Sequence, residues 1–208
     1  MFDKIQACGI VPVIKLTDAA KAVPLSKALL KGGVNLIEIT FRTAAAPEAI
    51  ARVAADCPDM IVGAGTVLTQ AQLETAQKSG AKFVVSPGFD PSVVKAALGM
   101  KMPILPGVVT PTELCAGLAL GLEVFKFFPA ENYGGASTIK SLAAPFSGIS
   151  FVPTGGISEK NACDYWKLKC VLAVGGSWMA PEALIEAGDF DEIARRTEEA
   201  VNLMKKSR

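Results

Sequence analysis

Short apolar runs, each closed by Gly, Pro, Thr or Ser, recur along the chain at near-regular spacing, and amphipathic stretches of helical period fill the gaps. The runs predict strands at Ile10–Ile14, Leu36–Thr40, Ile61–Ala64, Phe83–Ser86, Pro103–Leu105, Val124–Phe128, Ser150–Pro153 and Leu172–Val174. Helices are expected at about Asp18–Lys31, Pro47–Ala55, Gln70–Ser79, Pro91–Leu98, Pro111–Leu120, Ser137–Ala143, Glu159–Trp166 and Asp189–Lys205. Thr17 or Asp18, Thr69, Asp90, Thr110 and Ser158 stand where a side chain would cap free N–H groups, and Pro91 and Pro111 suit a first helical position. Gly32-Gly33, Gly80 and Gly121 stand where helices should stop. Parallel strands need crossover helices, and eight such units close on themselves, so the pattern favours an α/β fold of the (β/α)8 TIM-barrel type. An open, doubly wound sheet is the alternative. With 208 residues and no linker or low-complexity stretch, one domain spanning 1–208 is expected, with Met1–Cys8 as a short helix over the closed end of the barrel.

Strand periodicity then picks out two charges. In Leu36–Thr40, alternation sends Ile37 and Ile39 outward and Glu38 inward with Leu36 and Thr40. In Val124–Phe128, it puts Lys126 on one face with Val124 and Phe128, inside a run that otherwise reads as fully buried. Burial disfavours the charged form of an amine, and a neutral amine is a nucleophile whose natural target is a carbonyl carbon. An inward carboxylate is a candidate general acid and base. The bland readings are a snorkelling lysine and a structural ion pair, Glu38 with Arg42 or another base, or with Lys126 itself. Lys15 is a competing lysine near a strand end, but Thr17-Asp18 follows at once, which favours a partly exposed residue at a strand-to-helix turn. Active sites of such barrels lie at the carboxyl ends of the strands. Arg42 and Thr66 fall there, one offering a planar fork for a carboxylate and the other a hydroxyl at a glycine-rich bend. Pro153-Thr154-Gly155-Gly156 and Val174-Gly175-Gly176-Ser177 follow strands seven and eight, where barrels commonly bind phosphate through bare backbone N–H groups.

Composition narrows the chemistry. The chain has no histidine, which removes imidazole triads, His general bases and His-ligated zinc. The five cysteines form no Cys-x-x-Cys pair and read as thiols in a reducing compartment. The 21 basic and 20 acidic residues are spread without long runs, so neither a nucleic-acid surface nor a membrane patch is indicated. No secretory signal or membrane-length apolar run is evident. A cytoplasmic protein with a small-molecule partner is expected.

A buried amine, an internal carboxylate, a carboxylate-binding Arg and a phosphate cradle suit covalent chemistry on a phosphorylated 2-keto acid. The chain also resembles a known family in order and nearly from end to end. The resemblance is carried by Gly33–Thr43 (GVNLIEITFRT), Val62–Val67 (VGAGTV), Ser86-Pro87-Gly88, Glu123–Glu131 (EVFKFFPAE), Pro153–Ile157 (PTGGI) and Gly175–Trp178 (GGSW). These segments are similar to the 2-keto-3-deoxy-6-phosphogluconate (KDPG) aldolases, a family that includes 4-hydroxy-2-oxoglutarate (KHG) aldolase activity. The resemblance implies a class I aldolase needing neither metal nor cofactor, in which Lys126 forms the Schiff base and Glu38 moves protons. It also implies that Arg42, Thr66, Pro87 and Phe128 hold the pyruvyl half and that Thr154, Gly155, Gly156 and Ser177 hold the phosphate. A homotrimer is the inherited expectation. A non-catalytic barrel that merely binds a phosphorylated sugar acid is the alternative.

Overall fold

The computed structural model describes all 208 residues, Met1–Arg208. Nine strands are present: β1 (Ile10–Ile14), β2 (Leu36–Thr40), β3 (Ile61–Gly65), β4 (Val84–Val85), β5 (Ile104–Leu105), β6 (Gly107–Val108), β7 (Val124–Phe127), β8 (Ser150–Pro153) and β9 (Val174–Gly176). All of their pairings are parallel. One sheet runs β5-β4-β3-β2-β1-β9 and the other β6-β7-β8. Pro106 alone separates β5 from β6, and its carbonyl still accepts from the Lys126 N–H at 2.9 Å. At the other seam, the bridges Phe151↔Val171 and Thr154↔Gly175 tie β8 to the β9 segment. With β5 and β6 taken as one position, the neighbours run round a closed ring of eight, the expected barrel rather than an open sheet.

The helices are α1 (Phe2–Cys8), α2 (Ala22–Lys31), α3 (Ala46–Asp56), α4 (Gln70–Lys78), α5 (Pro91–Gly99), α6 (Pro111–Leu118), α7 (Gly135–Ala143), α8 (Ala162–Trp166), α9 (Glu182–Ala187) and α10 (Phe190–Ser207). Their starts show the expected chemistry. Thr69 accepts from the Gln72 N–H, Asp90 from those of Ser92 and Val93, and Thr110 with Glu113 closes a capping box. Asp18 caps a 3-10 turn, Ala19–Lys21, that leads into α2. None is long and apolar enough to cross a membrane.

Several boundaries differ from expectation, for local reasons. The fifth strand breaks because a proline has no N–H to give a ladder. The last strand sits two residues later than the apolar pattern suggested, since it is Val174, Gly175 and Gly176 that pair with Ile10, Val11 and Pro12. A Cβ on Gly175 would stand 2.2 Å from Thr154 Oγ1, so only glycine lets β9 approach β8 there. Ser158 does not cap a helix from Glu159. Its N–H instead donates to Asn161 Oδ1 at 2.8 Å, and α8 begins only at Ala162. Helix α9 was not anticipated.

The two hydrophobic layers follow from the alternation read in the sequence. Ile37, Ile39, Val62 and Ala64 join Leu25, Leu29, Ile50 and Val53 in the core between strands and helices. Val11, Leu36, Phe83, Leu105 and Val152 form a second cluster inside the barrel, closed beneath by Ile5 of α1. Above that apolar floor lie Glu38 and Lys126.

Candidate active site

Strands β2 and β7 occupy the second and sixth of the eight ring positions and so face each other across the barrel. Glu38 and Lys126, each third in its strand, reach toward the axis from opposite walls. Lys126 Nζ lies 3.5 Å from Glu38 Oε1, with the residues 6% and 2% exposed. At that burial an ion is held only by its partners, and each is the other's only ion-pair partner. Arg42 takes part in none of the ion pairs, so the reading of Glu38 as its structural mate fails. The Lys126 amine also sits 5.0 Å from the centre of the Phe128 ring, a cation–π distance that doubles as an apolar wall for whatever reaches the amine.

The carboxylate is seated by a glycine. A Cβ on Gly65 would fall 2.1 Å from Glu38 Oε1, so the acid occupies the space a side chain would have taken. The next residue, Thr66, has φ 57. A β-branched residue in the left-handed region is a strained one, and such strain gathers at working sites. Pro87 follows β4, and its carbonyl packs so closely on Gly107 that a Cβ there would meet it at 2.1 Å.

Arg42, exposed and just past β2, lines a cavity of about 200 Å³ with Lys15, Ser177 and Glu182. The structure thus joins a residue expected at the pyruvyl end to one expected at the phosphate end. Thr154, Gly155 and Gly156 follow β8, and the Thr154↔Gly175 bridge places them beside the strand that carries Ser177. Gly155 and Gly156 have φ 105 and 75, a backbone shape that glycine takes without penalty. A larger cleft of about 680 Å³, lined by Lys4, Asn35, Asp59 and Lys205, opens at the amino-terminal ends of the strands, away from these groups.

A family model described as KDPG and KHG aldolase matches residues 2–196. The chain belongs to that aldolase family. The "KHG/KDPG aldolase" of Escherichia coli (strain K12) is 47% identical over 92% of this chain and 90% of its own. Among solved structures, the KDPG aldolase of Legionella pneumophila superposes with a TM-score of 0.93 at 36% identity, over 96% of this chain and 97% of its own. In that structure pyruvate is captured at low pH as a covalent carbinolamine intermediate. The 2-keto-3-deoxy-6-phosphogluconate aldolase of Zymomonas mobilis ZM4, with 3-phosphoglycerate, gives 0.89 at 42% identity, over 96% and 94% of the two chains.

Within this aldolase fold, two features escaped the sequence. Lys15 is partly exposed at the turn after β1, as expected, but it also lines the Arg42–Ser177 cavity and is held by Glu182 at 2.9 Å. Its partner comes from α9, a helix that periodicity did not reveal. Gly65 is the other. The inward Glu38 one strand away was the signal that a neighbouring glycine would be needed.

Proposed function

We propose that this protein is a class I aldolase that cleaves KDPG to pyruvate and glyceraldehyde 3-phosphate, and also accepts KHG, giving pyruvate and glyoxylate. The observation that carries the reading is the buried Lys126–Glu38 pair at 3.5 Å across the barrel. It puts a nucleophilic amine and a proton carrier on one reacting carbon chain. The carbinolamine in the Legionella relative is the adduct that such an amine makes before water is lost.

The Lys126 amine adds to the C2 ketone, and loss of water leaves a protonated imine. Glu38 takes the proton of the C4 hydroxyl, the C3–C4 bonding pair flows into the imine, and the aldehyde departs. The resulting enamine recovers a proton at C3 from Glu38. Water then adds to the imine carbon, releasing pyruvate and the free amine. Phe128 and Pro87 border the pyruvyl group, while Arg42 and Thr66 hold its carboxylate, the Arg as a charge-assisted fork. Gly155 and Gly156 present backbone N–H groups to the phosphate, with Thr154 and Ser177 beside them. The 3-phosphoglycerate in the Zymomonas relative supports a site for a phosphorylated three-carbon fragment.

Borohydride reduction in the presence of pyruvate tests this directly. Mass spectrometry should find the reduced adduct on Lys126, and Lys126→Ala should yield none. An adduct on another lysine would overturn the assignment. Family resemblance supports a homotrimer, which light scattering would report as three times 21.7 kDa. Five free thiols suit a reducing, cytoplasmic setting.

A further inference from the structure

The Gly155-Gly156 turn is fastened by side chains outside the set assigned above. Two successive glycines in the left-handed region meet no steric objection, but they also lose more freedom than any other residues when fixed. A turn of this kind needs anchoring if its N–H groups are to wait in one place for a phosphate. The Glu131 N–H donates to the Gly155 carbonyl at 3.1 Å, and that of Ala130 to the Thr154 carbonyl at 2.8 Å. Glu131 also lies against Gly156, where a Cβ would stand 2.7 Å from its own Cβ. Its carboxylate is in turn held by Tyr165, a residue 1% exposed, whose hydroxyl donates to Glu131 Oε1. Burial and this hydrogen bond push the Tyr165 phenol above its ordinary range, so it remains a donor. On the other flank, Asn161 Nδ2 donates to the Gly156 carbonyl at 3.1 Å, while its Oδ1 accepts from the Ser158 N–H at 2.8 Å.

We propose that Glu131, Tyr165 and Asn161 are positioning residues that hold the Gly155-Gly156 turn in its phosphate-receiving shape and so set the preference for phosphorylated over unphosphorylated substrate. This rests on the reading of that turn as the phosphate cradle. Both ends of the brace act through backbone carbonyls, which leaves the N–H groups free to face the ligand. The Glu131 carboxylate itself is turned to Tyr165 and Gly135, where a Cβ on Gly135 would stand 3.0 Å from Oε1.

Kinetics of Tyr165→Phe and Asn161→Ala on KDPG and on KHG, which has no phosphate, test the idea. Tyr165→Phe removes one hydrogen bond and Asn161→Ala two, so KM for KDPG should rise about threefold to tenfold, with kcat little changed. KM and kcat for KHG should stay within twofold of wild type. A general loosening of the fold would instead move both substrates together, and equal changes, or none, would overturn the proposal. Tyr165→Phe keeps the buried ring, and Asn161 lies on a partly exposed turn, so thermal melts should show at least one variant folded. If wild type itself shows no KM advantage for KDPG over KHG, the phosphate cradle reading falls, and this inference falls with it. An intact wild-type preference with unaffected variants sinks the brace alone.

Discussion

Gly65→Ala tests the seating of Glu38, the proposed general base, without replacing a reacting group. The new methyl would lie 2.1 Å from Glu38 Oε1 and 2.8 Å from its Cδ and Cγ. Relief to ordinary contact at 3.4 Å moves the oxygen by about 1.3 Å. Gly65 is not in the left-handed region, so the strand itself accepts alanine, and the strain falls on the carboxylate. A misplacement of about 1 Å in a catalytic group costs roughly 100-fold in rate. The overpacking should cost about 1–3 kcal/mol of stability, small enough to leave a folded protein. The assay is exchange of the pyruvate methyl protons in heavy water, followed by NMR, because, once the imine has formed, it reads the proton transfer at C3 assigned to Glu38 with no C–C bond broken. Exchange should fall roughly 100-fold, whereas borohydride trapping on Lys126 should persist. Gly63→Ala serves as a control of similar size on the same strand. Its methyl would strike the Phe83 ring at 2.3 Å, in the apolar floor, and should lower the melting temperature far more than the exchange rate. Wild-type exchange by folded Gly65→Ala would refute the assignment of Glu38 as the proton carrier.

Arg42→Ala should raise KM for KDPG and KHG alike by roughly 10-fold, since both share the pyruvyl carboxylate and a charge-assisted hydrogen bond is lost. A change confined to KDPG would move Arg42 to the phosphate end of its cavity. Thr66→Gly should relieve left-handed strain worth about 1–3 kcal/mol and raise the melting temperature, while weakening pyruvate binding through loss of the hydroxyl. If the variant melts at or below the wild-type temperature, the strain relieved at Thr66 is no larger than the roughly 0.5–1 kcal/mol that glycine's chain entropy costs.

How far the sequence foretold this depends on what each feature costs. Glu38 and Lys126 were legible because period-two alternation assigns a side to every strand residue, and a charge on the buried side stands out against its neighbours. The barrel was legible for the same reason: its strands must be apolar on both faces except where chemistry intrudes. The division at Pro106 was not, because strands that pair over two residues carry no period to detect. Nor was α9, six residues long, whose role becomes visible only when Glu182 meets Lys15 across a separation of 167 positions.

The supports of the site were hidden by a different cause. Gly65 matters for the side chain it lacks, and in sequence such a glycine looks like any turn or bend. The brace on Gly155-Gly156 joins Glu131 to Tyr165, 34 residues apart, through groups that on the page look like an ordinary surface acid and a core aromatic. Reacting groups advertise themselves because burying them is costly, whereas the groups that place them are satisfied and so leave no anomaly. Family resemblance recovers the reacting set for the same reason, since the motif EVFKFFPAE is recognisable by its lysine. Yet that motif ends in Glu131, which the structure ties to the far turn. One nine-residue segment therefore carries the proposed nucleophile as its fourth residue and, at its end, the anchor of the site proposed for the phosphate, so the span of a single strand and turn would hold the two halves of the substrate in register.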